Sequence, residues 1–292
     1  MTTDHLDQRL ARAATDEEVE HYKEKGWAKL DGLISAELAA ELLAGAKDII
    51  ETETEAGTYA TWSATGGETK DRYEAAGGVG GKVINIGNFQ DYHFPGRDDK
   101  REPFRSLAFS RDMGSLAQQF IDRDVPIQFS TDMIACKMPV GSAGSDATRW
   151  HQDLPTLPFD RVGSMNIWVA LDEVTPDRGA LQFLSGSFRE GPLGNEISDG
   201  EGKSPLEVFS RQLAKYEMSP PLHLKPGDAT VHNANTVHGA PQNTTDKPRW
   251  AYILAYFPAD TRYTGATNHN FNDIGLEPLQ VIRHERFPII YP

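Results

Sequence analysis

The sequence has little cysteine, few basic residues and no long hydrophobic run. Its 292 residues include a single cysteine, Cys136, so an internal disulfide and a zinc site built from several cysteines are both excluded. No apolar run approaches the roughly 20 residues of a membrane-spanning helix. The N-terminal residues are polar and lack the apolar core of a signal peptide, so we expect a cytoplasmic protein in which Cys136 is a small buried hydrophobic residue.

Basic residues are outnumbered by acidic ones. Asp and Glu total 43 and Lys and Arg total 29, which gives a formal net charge of −14. Such a surface repels phosphate backbones and anionic lipid head groups, so we expect binding neither to nucleic acid nor to a membrane. Hydrophobic residues make up 38% of the chain, enough to bury a large core without cross-links.

The N-terminal part of the sequence is typical of helices. Thr15 followed by acidic residues predicts the start of a first helix, which Gly26 ends. Ser35 predicts the start of a second helix over about residues 36–50. A short strand over residues 27–30 is expected between the two helices.

Short β-rich segments separated by Pro, Gly and Asp turns begin near residue 125. They predict a β-sandwich or barrel instead of alternating βαβ units. We expect one domain over residues 1–292, with helical support in 1–55 and a β-core in 125–260. The predicted strands are residues 125–137, 164–174, 181–184, 221–224, 229–232 and 249–257.

Two segments are candidates for loops that cover a substrate. Residues 57–81 are polar, contain seven glycines and carry Tyr59 and Trp62. Residues 191–212 lie between predicted strands and begin with a Gly-Pro pair. Long loops in compact domains are usually functional, so both segments are candidate lids. Tyr59, Trp62 and Phe159 are candidates to line a substrate pocket, although ordinary packing would explain them equally well.

The strongest local motif is Trp150-His151-Gln152-Asp153. In an extended segment, His151 and Asp153 point to the same face. Together with the distant His238 they match the two histidines and one carboxylate that hold Fe(II) in non-haem oxygenases. A histidine and an aspartate exposed in a turn would give the same local sequence. His232, expected in a polar turn, is an alternative to His238.

Arg249 begins a predicted strand eleven residues after His238. Ala251 and Ala255 share its face of that strand, so the arginine stands at the edge of a small cavity. A guanidinium binds a carboxylate through two parallel hydrogen bonds, which suits an α-keto diacid. A surface ion pair would explain the same arginine.

Several motifs in a fixed order resemble the phytanoyl-CoA dioxygenase family of Fe(II)- and 2-oxoglutarate-dependent oxygenases. The similarity covers about residues 15–55 and 125–260. The segments that carry it are residues 133–139, 150–153, 167–172 and 179–187, Gly227-Asp228, and His238-Gly239 followed by Arg249.

This resemblance implies a mainly β fold with flanking helices, built on a double-stranded β-helix core, the jelly roll of cupin-like proteins. It implies His151, Asp153 and His238 as iron ligands and Arg249 as the partner of the C5 carboxylate of 2-oxoglutarate. O₂ would be the other cosubstrate. The positions that match family contacts to 2-oxoglutarate are Met133, Trp168 and Lys82.

One position departs from the family pattern. The family often has serine two residues after the second histidine, where this chain has Ala240, so one hydrogen bond to the cosubstrate is lost, at a cost of about 1 kcal/mol. Asp153 is retained, whereas halogenases of the family carry a small residue there, so halogenation is not expected. Gln152 and Asn166 are candidates to contact the substrate or to orient the ligands.

The implied reaction is oxidation, most simply hydroxylation, of a C–H bond with release of succinate and CO₂. The candidate lids hold few basic residues for the phosphates of CoA, so a small organic substrate, such as a secondary metabolite, is favoured over an acyl-CoA of the phytanoyl type. The alternatives are a jelly-roll protein that binds a metal or ligand without turnover, and a zinc hydrolase. The sequence does not predict the oligomeric state.

Overall fold

A computed structural model describes most of the chain. The described residues are 9–56, 84–87, 102–121, 123–140, 147–194, 209–268, 270–272 and 274–292. The predictions for Lys82, Tyr59, Trp62 and residues 57–81 lie outside these ranges, as do residues 195–208 of the second candidate lid.

Helix α1 (Asp16–Lys25) begins and ends where the sequence predicts. The Thr15 hydroxyl accepts a hydrogen bond from the Glu18 amide at 3.2 Å, and the Glu18 carboxylate accepts one from the Thr15 amide at 2.8 Å. This reciprocal arrangement satisfies two amides that the helix leaves unpaired. Gly26 ends the helix at φ 82°, a left-handed conformation that glycine adopts readily.

The other helices lie along the first part of the chain and near residue 210. The Ser35 hydroxyl accepts a hydrogen bond from the Leu38 amide and so caps helix α2, which runs past the predicted end at residue 50. None of the helices within the described ranges has both the length and the apolar character to cross a membrane. The bounds are α2 (Ala36–Ala56), α3 (Phe104–Ala108), α4 (Arg111–Phe120) and α5 (Ser210–Lys215).

A large antiparallel sheet of seven strands forms the centre of the fold. Its strands are β1 (Trp27–Leu30), β2 (Ile84–Gly87), β3 (Ile127–Lys137), β5 (Met165–Ala170), β7 (Ala229–Asn233), β9 (Arg249–Pro258) and β10 (Ile289–Tyr291). Their order is β1-β7-β5-β9-β3-β10, and β2 pairs with β3 on the edge away from β9. The long strand β9 pairs with both β3 and β5, so the residues of these three strands keep a fixed register.

A small sheet of three strands completes the β-structure. It contains β4 (Thr148–His151), β8 (His238–Ala240) and β6 (Gln182–Phe183), in the order β4-β8-β6. The prediction of a strand over residues 221–224 is wrong, since only an isolated bridge joins Leu224 to Val174. Pro220 and Pro221 have no backbone N–H and cannot donate hydrogen bonds to a ladder, and the pairing of this segment is confined to the bridge at Leu224.

The two faces of the large sheet bury different partners. Along β5, Ile167 and Val169 belong to the main core that packs the helices against the sheet. Trp168 and Ala170, on the other face, pack with Phe183 and other residues around the small sheet. Two sheets packed face to face, with helices behind one of them, confirm the predicted mainly β jelly roll. The chemistry predicted from the sequence falls between the sheets.

Candidate active site

His151 and His238 lie on neighbouring strands of the small sheet. They are partners in the register of β4 and β8, where an irregularity in the ladder separates this pair from the one formed by Thr148. Their ring centroids are 4.2 Å apart. Asp153 follows β4 in a turn fixed by a 2.9 Å hydrogen bond from its amide to the Ala234 carbonyl.

The side chains of His151, Asp153 and His238 converge. Each offers one ligand atom, and the three atoms lie within 4.8 Å of one another. Asp153 Oδ1 lies 3.5 Å from His151 Nε2, and Asp153 Oδ2 lies 3.9 Å from His238 Nε2. Two imidazoles and one carboxylate are the donor set of non-haem Fe(II) sites, and three protein ligands leave half of an octahedral sphere for small ligands.

Backbone carbonyls select the tautomer of both histidines. His151 Nδ1 lies 2.7 Å from the Arg149 carbonyl oxygen, and His238 Nδ1 lies 3.0 Å from that of Thr236. A carbonyl oxygen only accepts hydrogen bonds, so Nδ1 carries the proton in each ring. Each Nε2 then presents a lone pair, as a metal ligand requires.

Charges and burial set the protonation of the site. Removal from water would raise the pKa of Asp153, but His238, His151 and His232 together hold that pKa well below its usual range. Burial, with the neighbouring His151, lowers the pKa of His238 well below its ordinary value. At neutral pH the carboxylate is therefore ionised and His238 is neutral, the states in which both bind a divalent cation.

His232 lies beside the three candidate ligands, on β7, within the predicted strand over residues 229–232 and not in the polar turn considered as its alternative. It is buried, and its Nε2 is 3.1 Å from Asp153 Oδ2. Asn166 Nδ2 lies 2.8 Å from the same oxygen. The alternation of β7 could have shown that His232 faces away from the main core, because Thr230 and His232 share one face while the core residue Val231 occupies the other.

Arg249 is buried at the start of β9 in the large sheet. It is 4% exposed, so the alternative of a surface ion pair is wrong. Its Nη1 lies 3.4 Å from the Gly179 carbonyl oxygen, and its Nε has no hydrogen-bond partner within the described residues. Burial lowers its pKa to about 10, so the group still carries its charge at neutral pH. A buried cation with an unused N–H fits an anionic ligand.

The sheet face around Arg249 carries the other predicted cosubstrate contacts. The guanidinium lies over the Trp168 ring, 5.0 Å from its centroid. Ile253 of β9 pairs with both Met133 and Trp168, which places these residues in one row across the sheet. In the next row, the positions on β3, β9 and β5 are all alanines, which leave room between the sheets: Ala135, Ala251 and Ala170.

Gln152 and Phe159 are held by contacts of their own. The Gln152 amide donates to the carbonyl oxygens of Gly191 and Asn235, and its Oε1 accepts from the Leu193 amide. Gln152 therefore ties the start of the second candidate lid to the segment that carries the ligands. The Phe159 ring packs 4.7 Å from that of Phe257, which matches ordinary packing. Substrate contacts by these residues stay predictions.

A family model described as phytanoyl-CoA dioxygenase (PhyH) matches residues 22–251. A Danio rerio protein, "Phytanoyl-CoA dioxygenase domain-containing protein 1", is 32% identical over 109 residues, which are 36% of this chain and 37% of that protein. A Stutzerimonas stutzeri protein, "Probable alpha-ketoglutarate-dependent hypophosphite dioxygenase", is 24% identical over 254 residues, which are 84% of this chain and 79% of that protein. The similarity to the first relative thus spans little more than a third of its length, and that to the second spans most of it.

Two solved structures share the architecture. The "non-heme alpha ketoglutarate dependent carbocyclase SnoK from nogalamycin biosynthesis" has a TM-score of 0.72 at 20% identity, covering 96% of this chain and 99% of that one. "The epimerase SnoN in complex with Fe3+, alpha ketoglutarate and nogalamycin RO" has a TM-score of 0.69 at 23% identity, covering 94% and 98%. At sequence identities this low, the two structures show a shared fold only. That fold agrees with the jelly roll described above.

Proposed function

Because this chain belongs to the phytanoyl-CoA dioxygenase family of Fe(II)- and 2-oxoglutarate-dependent oxygenases, we propose that it hydroxylates a C–H bond of a small organic molecule. The family and the enzyme class predicted from the sequence are confirmed by the match over residues 22–251. The observation that carries the proposal is the convergence of His151, Asp153 and His238, in a fold that also buries the cation Arg249.

The candidate ligands fit a divalent metal by their chemistry and their protonation. His151 and His238 present Nε2 because their Nδ1 atoms are held by carbonyls, and Asp153 is ionised. When bound there, Fe(II) supplies the activation of O₂ that couples the decarboxylation of 2-oxoglutarate to oxidation of the substrate. Arg249 would bind the C5 carboxylate of 2-oxoglutarate, and thereby orient the keto acid toward the metal.

Other residues around Arg249 give the site its shape and exclude water from it. Trp168 covers one face of the Arg249 guanidinium, and the pocket around both is lined by buried apolar residues of the two sheets. Exclusion of water strengthens the attraction between this guanidinium and a carboxylate. Met133 is proposed to flank the cosubstrate from the neighbouring strand, and Lys82 keeps its predicted role as a further contact.

The proposed substrate is a small molecule, such as a secondary metabolite, and not a CoA thioester. SnoK is described as an enzyme of nogalamycin biosynthesis, and the relative from Stutzerimonas stutzeri as a hypophosphite dioxygenase. These descriptions name small molecules. The net charge of −14 also disfavours the phosphates of CoA.

An anaerobic titration tests the proposed site. Fe(II) and 2-oxoglutarate are added to the parent protein, to His151→Ala, to Arg249→Gln and to the control His223→Ala, whose exposed ring pairs with Glu173. We expect the visible charge-transfer band of an iron–keto-acid chelate in the parent and the control, no band in His151→Ala, and a higher 2-oxoglutarate requirement in Arg249→Gln. A folded parent that holds iron but gives no band would contradict the proposal.

Substrate-dependent turnover separates the two substrate classes. O₂ consumption and succinate formation are measured with a panel of free small molecules and with straight-chain and branched acyl-CoAs. We expect stimulation by members of the first group. Stimulation by acyl-CoAs alone would assign the protein to the acyl-CoA 2-hydroxylases.

A further inference from the structure

Two hydrogen-bond donors meet on one oxygen of Asp153. His232 Nε2 lies 3.1 Å and Asn166 Nδ2 lies 2.8 Å from Asp153 Oδ2. His232 and Asn166 are register partners in the neighbouring strands β7 and β5, so their side chains leave the large sheet on the same side. The carboxylate itself comes from the turn after β4 of the small sheet. Residues of the large sheet thus form hydrogen bonds to Asp153, a candidate metal ligand that follows a strand of the small sheet.

The other oxygen of the carboxylate faces the ligand His151. Asp153 Oδ1 lies 3.5 Å from His151 Nε2, a nitrogen whose lone pair is directed away from its own backbone contact. A carboxylate oxygen and an imidazole lone pair repel each other at this distance unless a cation lies between them. The two oxygens of Asp153 therefore have different environments: Oδ2 lies within hydrogen-bond distance of the two donors, with His238 Nε2 farther off at 3.9 Å, and Oδ1 faces His151 Nε2.

The tautomer of His232 is opposite to that of the ligands. Its Nε2 must carry the proton in order to donate to Asp153. Its Nδ1 is buried and has no hydrogen-bond partner within the described residues, which is tolerable for a lone pair but costly for an N–H. His232 is thus arranged as a donor to the carboxylate. This removes His232 as an alternative metal ligand.

We infer that His232 and Asn166 are positioning residues that make Asp153 a one-oxygen metal ligand. Both donors occupy Oδ2, so only Oδ1 is available to the metal, and the carboxylate takes one coordination position instead of two. The position saved in this way remains open for the keto acid or O₂. This inference rests on the proposed metal site, and it assigns roles to two residues that do not touch the metal.

The packing around His232 keeps the donor in place. Its ring lies 4.2 Å from that of His238 and 5.4 Å from that of Phe183, and Trp27 of β1 is its register partner. A ring held on several sides loses little additional freedom when it donates, so the hydrogen bond is pre-organised. We therefore expect its removal to change the metal site more than the stability of the fold.

Metal binding without turnover tests the inference. Co(II) affinity is measured by calorimetry, and its coordination by visible absorption, for the parent, His232→Leu, Asn166→Leu and the double variant. We expect each single variant to bind Co(II) about 10- to 100-fold more weakly than the parent. We also expect the absorption intensity to fall as the freed carboxylate takes a second coordination position.

Two further variants separate positioning from packing. His232→Gln keeps an N–H donor near the same place and should recover most of the Co(II) affinity and the parent spectrum. Thr230→Val is the control, because it changes a buried side chain on the same face of β7 to one of equal size, and neither side chain is a donor to Asp153. It should leave the Co(II) affinity and the spectrum unchanged. Thermal unfolding of each variant shows that it is folded.

The outcomes distinguish this inference from the proposed function. A folded parent that binds neither Co(II) nor Fe(II) with 2-oxoglutarate would overturn both. A parent that binds, together with His232→Leu and Asn166→Leu variants of unchanged affinity and spectrum, would overturn the positioning roles alone. If His232→Leu does not fold, the other two single variants test the positioning roles. Asn166→Leu removes one donor to Asp153, and His232→Gln retains one.

Discussion

The guanidinium of Arg249 lies over the ring of Trp168, 5.0 Å from its centroid, and no carboxylate among the described residues forms an ion pair with it. A buried cation compensated only by a carbonyl oxygen and an aromatic face is costly in the free protein. The cost is recovered when an anion binds. This relationship explains why the site should favour a ligand with a second carboxylate. It also means that ligand binding should raise the unfolding temperature of the protein.

The first prediction concerns the charge of Arg249. With Mn(II) present, 2-oxoglutarate at 100 times its Kd should stabilise the parent by about 2.7 kcal/mol. Arg249→Met should lose most of this gain while unfolding, without ligand, at a temperature equal to or above that of the parent. Differential scanning fluorimetry measures both. Arg211→Met, which removes an exposed cation, is the control, and a full ligand shift in Arg249→Met would contradict the assignment.

The second prediction concerns the residue after Gly239. Ala240 is buried in the cluster that contains Trp168, at the position where the family often has serine. Ala240→Ser should restore a hydrogen bond to the cosubstrate worth about 1 kcal/mol, and so lower the Kd for 2-oxoglutarate about fivefold. Anaerobic titration of the charge-transfer band gives the Kd. Ala259→Ser, buried at the end of β9, should leave it unchanged, and an unaltered Kd in Ala240→Ser would show that the hydroxyl does not reach the keto acid.

The third prediction concerns the metal. Mn(II) should raise the unfolding temperature of the parent, and a chelator should return it to the metal-free value, because the ion binds the folded state only. Asp153→Ala should abolish this response, since it removes the one charged ligand. Asp160→Ala, which breaks an ion pair with Arg161 elsewhere on the surface, should keep it. A metal response that survives in Asp153→Ala would mean that the ion binds elsewhere.

The fourth prediction concerns pH. Hydrogen bonds from Lys215, Gln212 and Tyr216 lower the pKa of Glu190 to about 2. A carboxylate with a lowered pKa stabilises the fold above its unfolded pKa, and this contribution is lost as the pH falls from about 4.5 toward 2. Glu190→Gln should therefore lower stability by about 1 kcal/mol at pH 7, a modest effect because the group is partly exposed to solvent.

The check is thermal unfolding of Glu190→Gln and the parent at pH 7 and at pH 4. The gap between them should narrow at the lower pH. Glu217→Gln, an exposed acid nearby, should show no such change. A gap that is constant or widens on acidification would mean that the carboxylate of Glu190 does not contribute through its charge.

The features that depend on neighbouring residues could be read from the sequence. Thr15 and Gly26 bound helix α1 as predicted, because caps follow from the chemistry of a few adjacent side chains. The spacing of His151 and Asp153 was also readable. Strands β4 and β8 were not, since four and three residues are too few to show alternation.

The features that depend on strand register could not be predicted from the sequence. The contact of His232 with Asp153 joins residues far apart in the chain, and it requires both the pairing of β7 with β5 and the packing of two sheets. No local pattern encodes those relations. For the same reason the sequence left His232 as an alternative ligand, whereas the structure places it behind the carboxylate.

The candidate ligands come from the small sheet and the turn after β4, whereas the donors that hold Asp153 come from the large sheet, and this arrangement has a consequence for the protein in a cell. His151 and His238 belong to the small sheet, while Asn166 and His232 reach Asp153 from the large one. An ion bound by the three ligands would hold Asp153 in place. The hydrogen bonds from Asn166 and His232 to Asp153 would then reinforce the contact between two layers that are otherwise joined by side-chain packing and connecting loops. Protein without the bound ion would unfold locally more often and would be cleaved by proteases sooner. Iron supply would then govern how much of this enzyme persists as well as how fast it works.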